Sequence, residues 1–178
     1  MKKLKSIILG AMLCLTTSIT FAQKDSVYIE KSVDEMSDKV YFFPSRQIVC
    51  LSEDKKTAFA VSLFLNKDKN NNGGCSASDL KVKMVNIGAC VEKNEIIFLF
   101  EDDTKISLVC WNEFNCKGDA WFALSKSEME SLATKKIKKI KVQNGRSFES
   151  YTHELKEDSD YFIQLFYAIN NNKIKLIK

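Results

Sequence analysis

Leu80, Val82 and Met84 alternate with Lys81 and Lys83, a period of two that fits a strand burying one face and wetting the other. Similar short β-rich runs recur along the chain, at Val27-Tyr28-Ile29, Val40 to Phe43, Gln47 to Leu51, Thr57 to Leu65, Ile96 to Phe100, Ile106 to Trp111 and Ala120 to Leu124. Charged turns separate several of them, Glu53-Asp54-Lys55-Lys56 and Asp102-Asp103 most plainly, and Pro44 closes the second run. Adjacent strands joined by tight turns pair antiparallel, so the pattern predicts a meander-type sheet or flattened barrel.

Local details refine this expectation. Ala58 to Leu65 leaves almost no polar face, which predicts a strand buried on both sides near the sheet centre. After Val85 the apolar phase switches to Val85, Ile87, Ala89 and Val91, and with Gly88 nearby this predicts a bulge or bend around Asn86. Lys93-Asn94 is read as a hairpin turn, and Asp103 as a left-handed turn residue. In the last third, Ser125 and Glu128 have capping-box spacing ahead of a helix to Ala133. Asn144-Gly145 predicts a two-residue hairpin between Ile137–Val142 and Ser147–Thr152. A second helix, capped by Asp158 or Ser159 and running to about Asn170, carries the stripe Phe162, Leu165, Phe166 and Ile169. The fold class is therefore α+β, with two helices in the C-terminal third.

The N-terminus has the layout of a signal peptide over residues 1–22. Lys2, Lys3 and Lys5 precede a short apolar core, Ile7 to Leu15, and Thr20-Phe21-Ala22 offers a cleavage site. The core is too short to span a bilayer. Leu13 ahead of Cys14 spoils a lipobox, so the expectation is export to the periplasm or medium, without a membrane anchor in the mature form. Residues 23–178 then form one α+β domain, large enough for a core of its own. The formal charge of +4 falls to +1 with the loss of those three lysines. A near-neutral chain lacks the footprint of a nucleic-acid binder. The one dense basic run, Lys135 to Lys141, reads as a strand edge protected by lysines, with polyanion binding as the other reading.

An exported chain is expected to form disulfides, and five candidates follow the cleavage site: Cys50, Cys75, Cys90, Cys110 and Cys116. The odd count leaves at least one thiol free or bonded to another chain. If the Lys93-Asn94 hairpin forms, Glu92 faces Glu95 and Glu95 faces Cys110, so the Cys90 and Cys110 strands lie about 10 Å apart or more. A bridge tolerates less than about 7 Å. Cys116 can fold back to either, and Cys90 is the favoured partner.

Candidate sites are few. Asp68, Asn70, Asn72, Gly73, Ser76 and Asp79 match positions of a twelve-residue calcium loop, although the twelfth is Asp rather than Glu and a strand enters it. Mobile polar loop is the competing reading, so calcium is at most a weak cofactor expectation. Trp111, Phe114 and Trp121 are candidate binding aromatics, able to stack on a sugar or anchor a protein, unless they plug the end of the sheet. A zinc site built on several imidazoles is excluded by the single histidine, His153, and no GxSxG, HExxH or phosphate loop occurs. A Cys–His nucleophile pair is the one catalytic arrangement left open.

Met36 to Tyr167 resembles a family of small uncharacterised exported bacterial proteins. The residues that carry the likeness are Ser37 to Tyr41, Phe98 to Lys105, Trp111 to Gly118 and Lys138 to Gly145. Asp103 departs from the Gly expected at its turn. The likeness implies an exported, strand-rich protein and transfers no active site. The sequence thus points to a non-catalytic binding or structural module of the bacterial cell envelope, working through a protein or glycan. A small secreted hydrolase with a Cys/His pair, and an inhibitor of a secreted hydrolase presenting the Cys110–Cys116 loop, are the alternatives.

Overall fold

In a computed structural model, residues 26–68, 73–112 and 114–177 are described. The predicted signal segment lies outside them. Eleven strands and two helices follow in the order β1(Ile29–Asp34), β2(Lys39–Pro44), β3(Ile48–Leu51), β4(Ala58–Lys67), β5(Cys75–Val85), β6(Glu95–Phe100), β7(Lys105–Val109), β8(Asp119–Ala123), α1(Lys126–Thr134), β9(Ile137–Gln143), β10(Ser150–Glu154), α2(Tyr161–Asn170) and β11(Ile174–Leu176).

The strands form two sheets rather than a flattened barrel. The larger has the order β11-β1-β2-β4-β5-β8, with β3 also on β4; the smaller is β10-β9-β6-β7. All pairings are antiparallel except β1 with β11, a strand the sequence pattern did not reveal. The α+β class with two late helices is as expected. One core joins the inward faces of both sheets to the apolar sides of the helices. Phe98 of β6 meets Phe162 of α2 edge to face at 5.9 Å, and Phe59 of β4 meets Tyr151 of β10 at 5.7 Å.

Several local expectations hold. Ser125 Oγ accepts from the Glu128 amide at 3.3 Å and Glu128 returns the bond to the Ser125 amide at 2.6 Å, a complete capping box. β5 ends at Val85, and Asn86 and Gly88 both take left-handed backbone there. Asp103 is left-handed as well, at φ 60°, in a three-residue hairpin loop.

Others are corrected. Residues 86–94 form bends rather than a strand and hairpin, so Glu92 does not face Glu95, and Glu95 pairs with Val109 rather than Cys110. Asn144-Gly145 is not a two-residue turn: Gln143 pairs with Ser150, and neither Asn144 nor Gly145 has the positive φ that such a turn demands. Buried Asn144 instead accepts the Arg146 and Ser147 amides on its side-chain oxygen, at 3.0 and 2.9 Å, which opens a wider loop. Lys138, Lys139 and Lys141 of the lysine run lie on β9, an interior strand between β6 and β10, not an edge, and Lys135 and Lys136 precede it. Lys135 and Lys138 pair with Asp102 and Asp103 of the neighbouring hairpin, at 2.8 and 3.0 Å, and Lys139 with Glu154 at 3.4 Å. Neither Asp158 nor Ser159 caps α2. The N-cap position is Asp160, which makes no side-chain cap bond, and the Asp158 carboxylate binds Arg46 instead.

Candidate functional site

β4 is central, but it is not buried on both sides. Phe59, Val61, Leu63 and Leu65 enter the core, whereas Ala58, Ala60, Ser62 and Phe64 form a partly open outer face. Three of those four are small, so they leave a furrow. The furrow becomes a groove because β2 and β3 share one edge of β4 without meeting: Phe42 pairs with Leu65 and Ile48 with Val61. Phe43, Pro44 and the turn to Gln47 rise on that side. Lys81, Lys83 and Trp121, from β5 and β8, rise on the other. The open groove has a volume of about 740 Å³, within the range of small-ligand sites.

The ring of Trp121 meets Phe64 edge to face at 5.2 Å, and Phe64 keeps 42% of its surface exposed. Lys81 Nζ stands 5.1 Å from the Trp121 centroid, a cation–π contact. Beside it, Lys83 bonds Asp119 at 3.2 Å and the Lys117 carbonyl. Arg46 lines the opposite wall. Its Nη1 reaches Asp158 at 2.5 Å, its guanidinium lies 5.3 Å from the Tyr161 centroid, and Nε and Nη2 are buried without a partner. The Tyr161 hydroxyl donates to the Arg46 carbonyl at 2.7 Å, and burial pushes its acidity well below that of an ordinary phenol. The turn that carries Arg46 is therefore held from beneath.

Of the aromatics singled out by sequence, Trp121 lines this groove. Trp111 shares the face: its indole N–H donates to Asp79 at 3.2 Å, two residues from Lys81 on β5, and its backbone amide donates to the Trp121 carbonyl at 3.0 Å. Phe114 is 57% exposed but not part of the lining. Trp111, Asn112 and Asn115 lie along the outer edge of β8, with the Asn112 and Asn115 amides on the Asp119 carbonyl at 3.2 and 2.9 Å. Phe64, Lys81 and Arg46 escaped the sequence reading. The small residues at every second position of Ala58 to Ser62, opposite a lysine-bearing strand, were the available signal.

A disulfide joins Cys90 to Cys116, with Cα atoms 4.1 Å apart, and Val91 pairs with Asn115 alongside it. Next to this bridge lies Asn94, fully buried, whose side-chain oxygen accepts from the Glu92 amide at 3.0 Å and the Gly145 amide at 3.4 Å. Asn144 donates to the Cys90 carbonyl at 2.6 Å. Among the described residues this is the one bridge, and Cys50, Cys75 and Cys110 are buried free thiols. Burial pushes the Cys50 thiol up to about 12 and Cys75 to about 11, with Asp158 and Asp68 adding to the respective shifts. Desolvation raises Cys110 as well. A catalytic thiol needs the opposite shift. The His153 ring contacts Tyr151, whose hydroxyl lies 3.3 Å from Nδ1, and no thiol is bonded to it among the described residues.

Of the calcium candidates, Asp68 and Asp79 are set apart along the β4–β5 hairpin. Asn70 and Asn72 lie outside the described residues. Asp79 pairs with Phe64 in mid-hairpin, while Asp68 lies near the hairpin end, its amide bonded to the Gly74 carbonyl at 3.0 Å. Four residues of strand separate the two carboxylates, about 13 Å, far beyond the span of one ion's ligands. No group of three or more His, Cys, Asp or Glu suited to a metal occurs among the described residues. The acidic turn is likewise occupied: bonds from Lys135 and Thr104 hold the Asp102 carboxyl down at about 2.

No helix among the described residues is long and apolar enough to cross a membrane. Comparison with protein-family profiles, curated proteins and solved structures finds no match.

Proposed function

We propose that the mature chain is an exported, non-catalytic binding module of the cell envelope, and that its ligand seats in the groove beside Trp121. The observation that carries this reading is the open aromatic pair, Phe64 with Trp121, held over a small-residue floor on three adjoining strands of the larger sheet. Rigid strands position side chains better than loops do. A groove that joins rings, a hydroxyl and cations on one wall offers binding groups but no nucleophile–base pair. Export is supported by the Cys90–Cys116 bridge, which persists in oxidising compartments, and by the signal-like N-terminus.

Co-sedimentation of residues 23–178 with a washed, insoluble envelope fraction tests the reading. The wild-type protein pellets with the fraction, and a Phe64→Ser/Trp121→Ser variant of unchanged melting temperature stays in solution. Equal behaviour of the two proteins, or no pelleting of either, would overturn it.

Phe114 favours a second reading. It stands exposed on a segment anchored by the Cys90–Cys116 bridge, the geometry of a wedge for a hydrolase cleft. Retained inhibition of a secreted hydrolase by Phe114→Ala would remove that reading.

A further inference from the structure

We infer that the groove takes an acidic saccharide, a sugar ring bearing a carboxylate, an inference that rests on the binding reading above and names its ligand class. Three cations line the groove, Arg46, Lys81 and Lys83, against one carboxylate, Asp119. Lys83 neutralises Asp119 at 3.2 Å. Lys81 has no carboxylate partner among the described residues and lies only against the Trp121 ring. Asp158 balances Arg46 at Nη1, from outside the lining. The lining therefore carries an unspent positive charge next to an exposed aromatic pair.

Arg46 adds geometry to this charge. The two nitrogens left without acceptors, Nε and Nη2, lie on one side of the guanidinium and form a two-pronged donor. Lys81 and Lys83, half in solvent, make the contact with the acid, while Arg46, closed to solvent at Nε and Nη2, adds its charge to the opposite wall.

The groove floor argues against an extended peptide as the occupant. β4 is hydrogen-bonded to β5 along one edge and to β2 and β3 along the other, with only Ser62 to Phe64 between the two partners. Three residues are too few for strand addition, so main-chain recognition is closed. What remains is a side-chain surface: the Trp121 ring with Phe64 set edge to face against it, the Ser62 hydroxyl and the Gln47 amide. A sugar ring fits such a surface, placing its C–H face on one of the two rings and its hydroxyls on the polar groups.

Titration calorimetry with residues 23–178 and tetragalacturonate, its methyl ester, neutral cellotetraose and tetraglutamate tests the assignment. The acid sugar is expected to bind, to weaken as salt rises, and to bind at least tenfold better than its ester or the neutral sugar. Lys81→Gln, an exposed change that leaves the fold intact, costs that binding tenfold or more; Trp121→Ala abolishes it. Equal binding of ester and acid, tighter binding of tetraglutamate, or no binding of the acid sugar overturns the ligand class while Trp121-dependent co-sedimentation still stands. Acid-sugar binding that Trp121→Ala leaves untouched overturns the site itself.

Discussion

Lys81 Nζ sits 5.1 Å from the centre of the Trp121 ring, across the β5–β8 pair that registers the two residues directly opposite one another. The contact spans solvent-facing side chains, where such pairs contribute about 0.5–1 kcal/mol. Lys81→Gln should therefore lower stability by no more than about 1 kcal/mol, measured as a small shift of the urea midpoint, and should change the fluorescence of Trp121. A large loss of stability would mean that Lys81 serves the fold rather than the groove.

The Cys90–Cys116 bridge closes a loop of 26 residues. Chain-entropy estimates for a loop of that size give about 3.5 kcal/mol. A Cys90→Ser/Cys116→Ser variant should unfold at correspondingly lower urea, and dithiothreitol should have the same effect on the wild type. An unchanged midpoint under reduction would remove the bridge from the account of stability.

Asn144 is buried and joins the C-terminal hairpin to the Cys90 carbonyl. Asn144→Ala strands that carbonyl and the Arg146 and Ser147 amides, at about 1–3 kcal/mol for a buried group left unpaired. Denaturation should show the loss. Gly145→Ala should also destabilise, because a β-carbon there would collide with the carbonyl oxygens of Glu92 and Lys93.

The buried thiols give the fold an alkaline limit. The Cys50 thiol ionises near 9.0 when unfolded but is raised to about 12 in the native state. Below pH 9 both states keep the proton; above it only the unfolded chain releases it, so stability is full below that pH and declines as pH rises toward 12. Cys75 acts in the same sense, raised to about 11. Urea midpoints from pH 7 to 10.5 should fall above pH 9, and less steeply in Cys50→Ala. Native alkylation at neutral pH should leave the three thiols unmodified, with labelling only in denaturant.

The fold class was legible because it follows from the period-two pattern and from turn chemistry, as at Lys81/Lys83 and Asp103. The capping box at Ser125 was legible because it is local. Asn144-Gly145 misled because a buried side chain overrode the turn preference: Asn144 binds amides further along its own loop and the distant Cys90 carbonyl. The Cys90–Cys116 pairing matched the favoured option, but the hairpin geometry behind it did not form. The candidate site was half visible. Trp121 stood out by residue type, whereas Arg46, Ser62 and Phe64 join it only because β2 and β3 part along the edge of β4, a long-range arrangement that no local window contains. The separation of Asp68 from Asp79 was hidden for the same reason, since it follows from the pairing of β4 with β5.

The chain has two tryptophans, so its proton–nitrogen NMR spectrum contains two indole signals, one near the groove and one bonded to Asp79. Trp121→Phe assigns them. Adding envelope fragments released by sonication should shift the Trp121 signal strongly and that of Trp111 weakly, together with the amides of Ser62 and Lys81. A spectrum in which Trp121 stays fixed while the fragments bind elsewhere, or in which nothing moves at all, would contradict the groove as the binding surface.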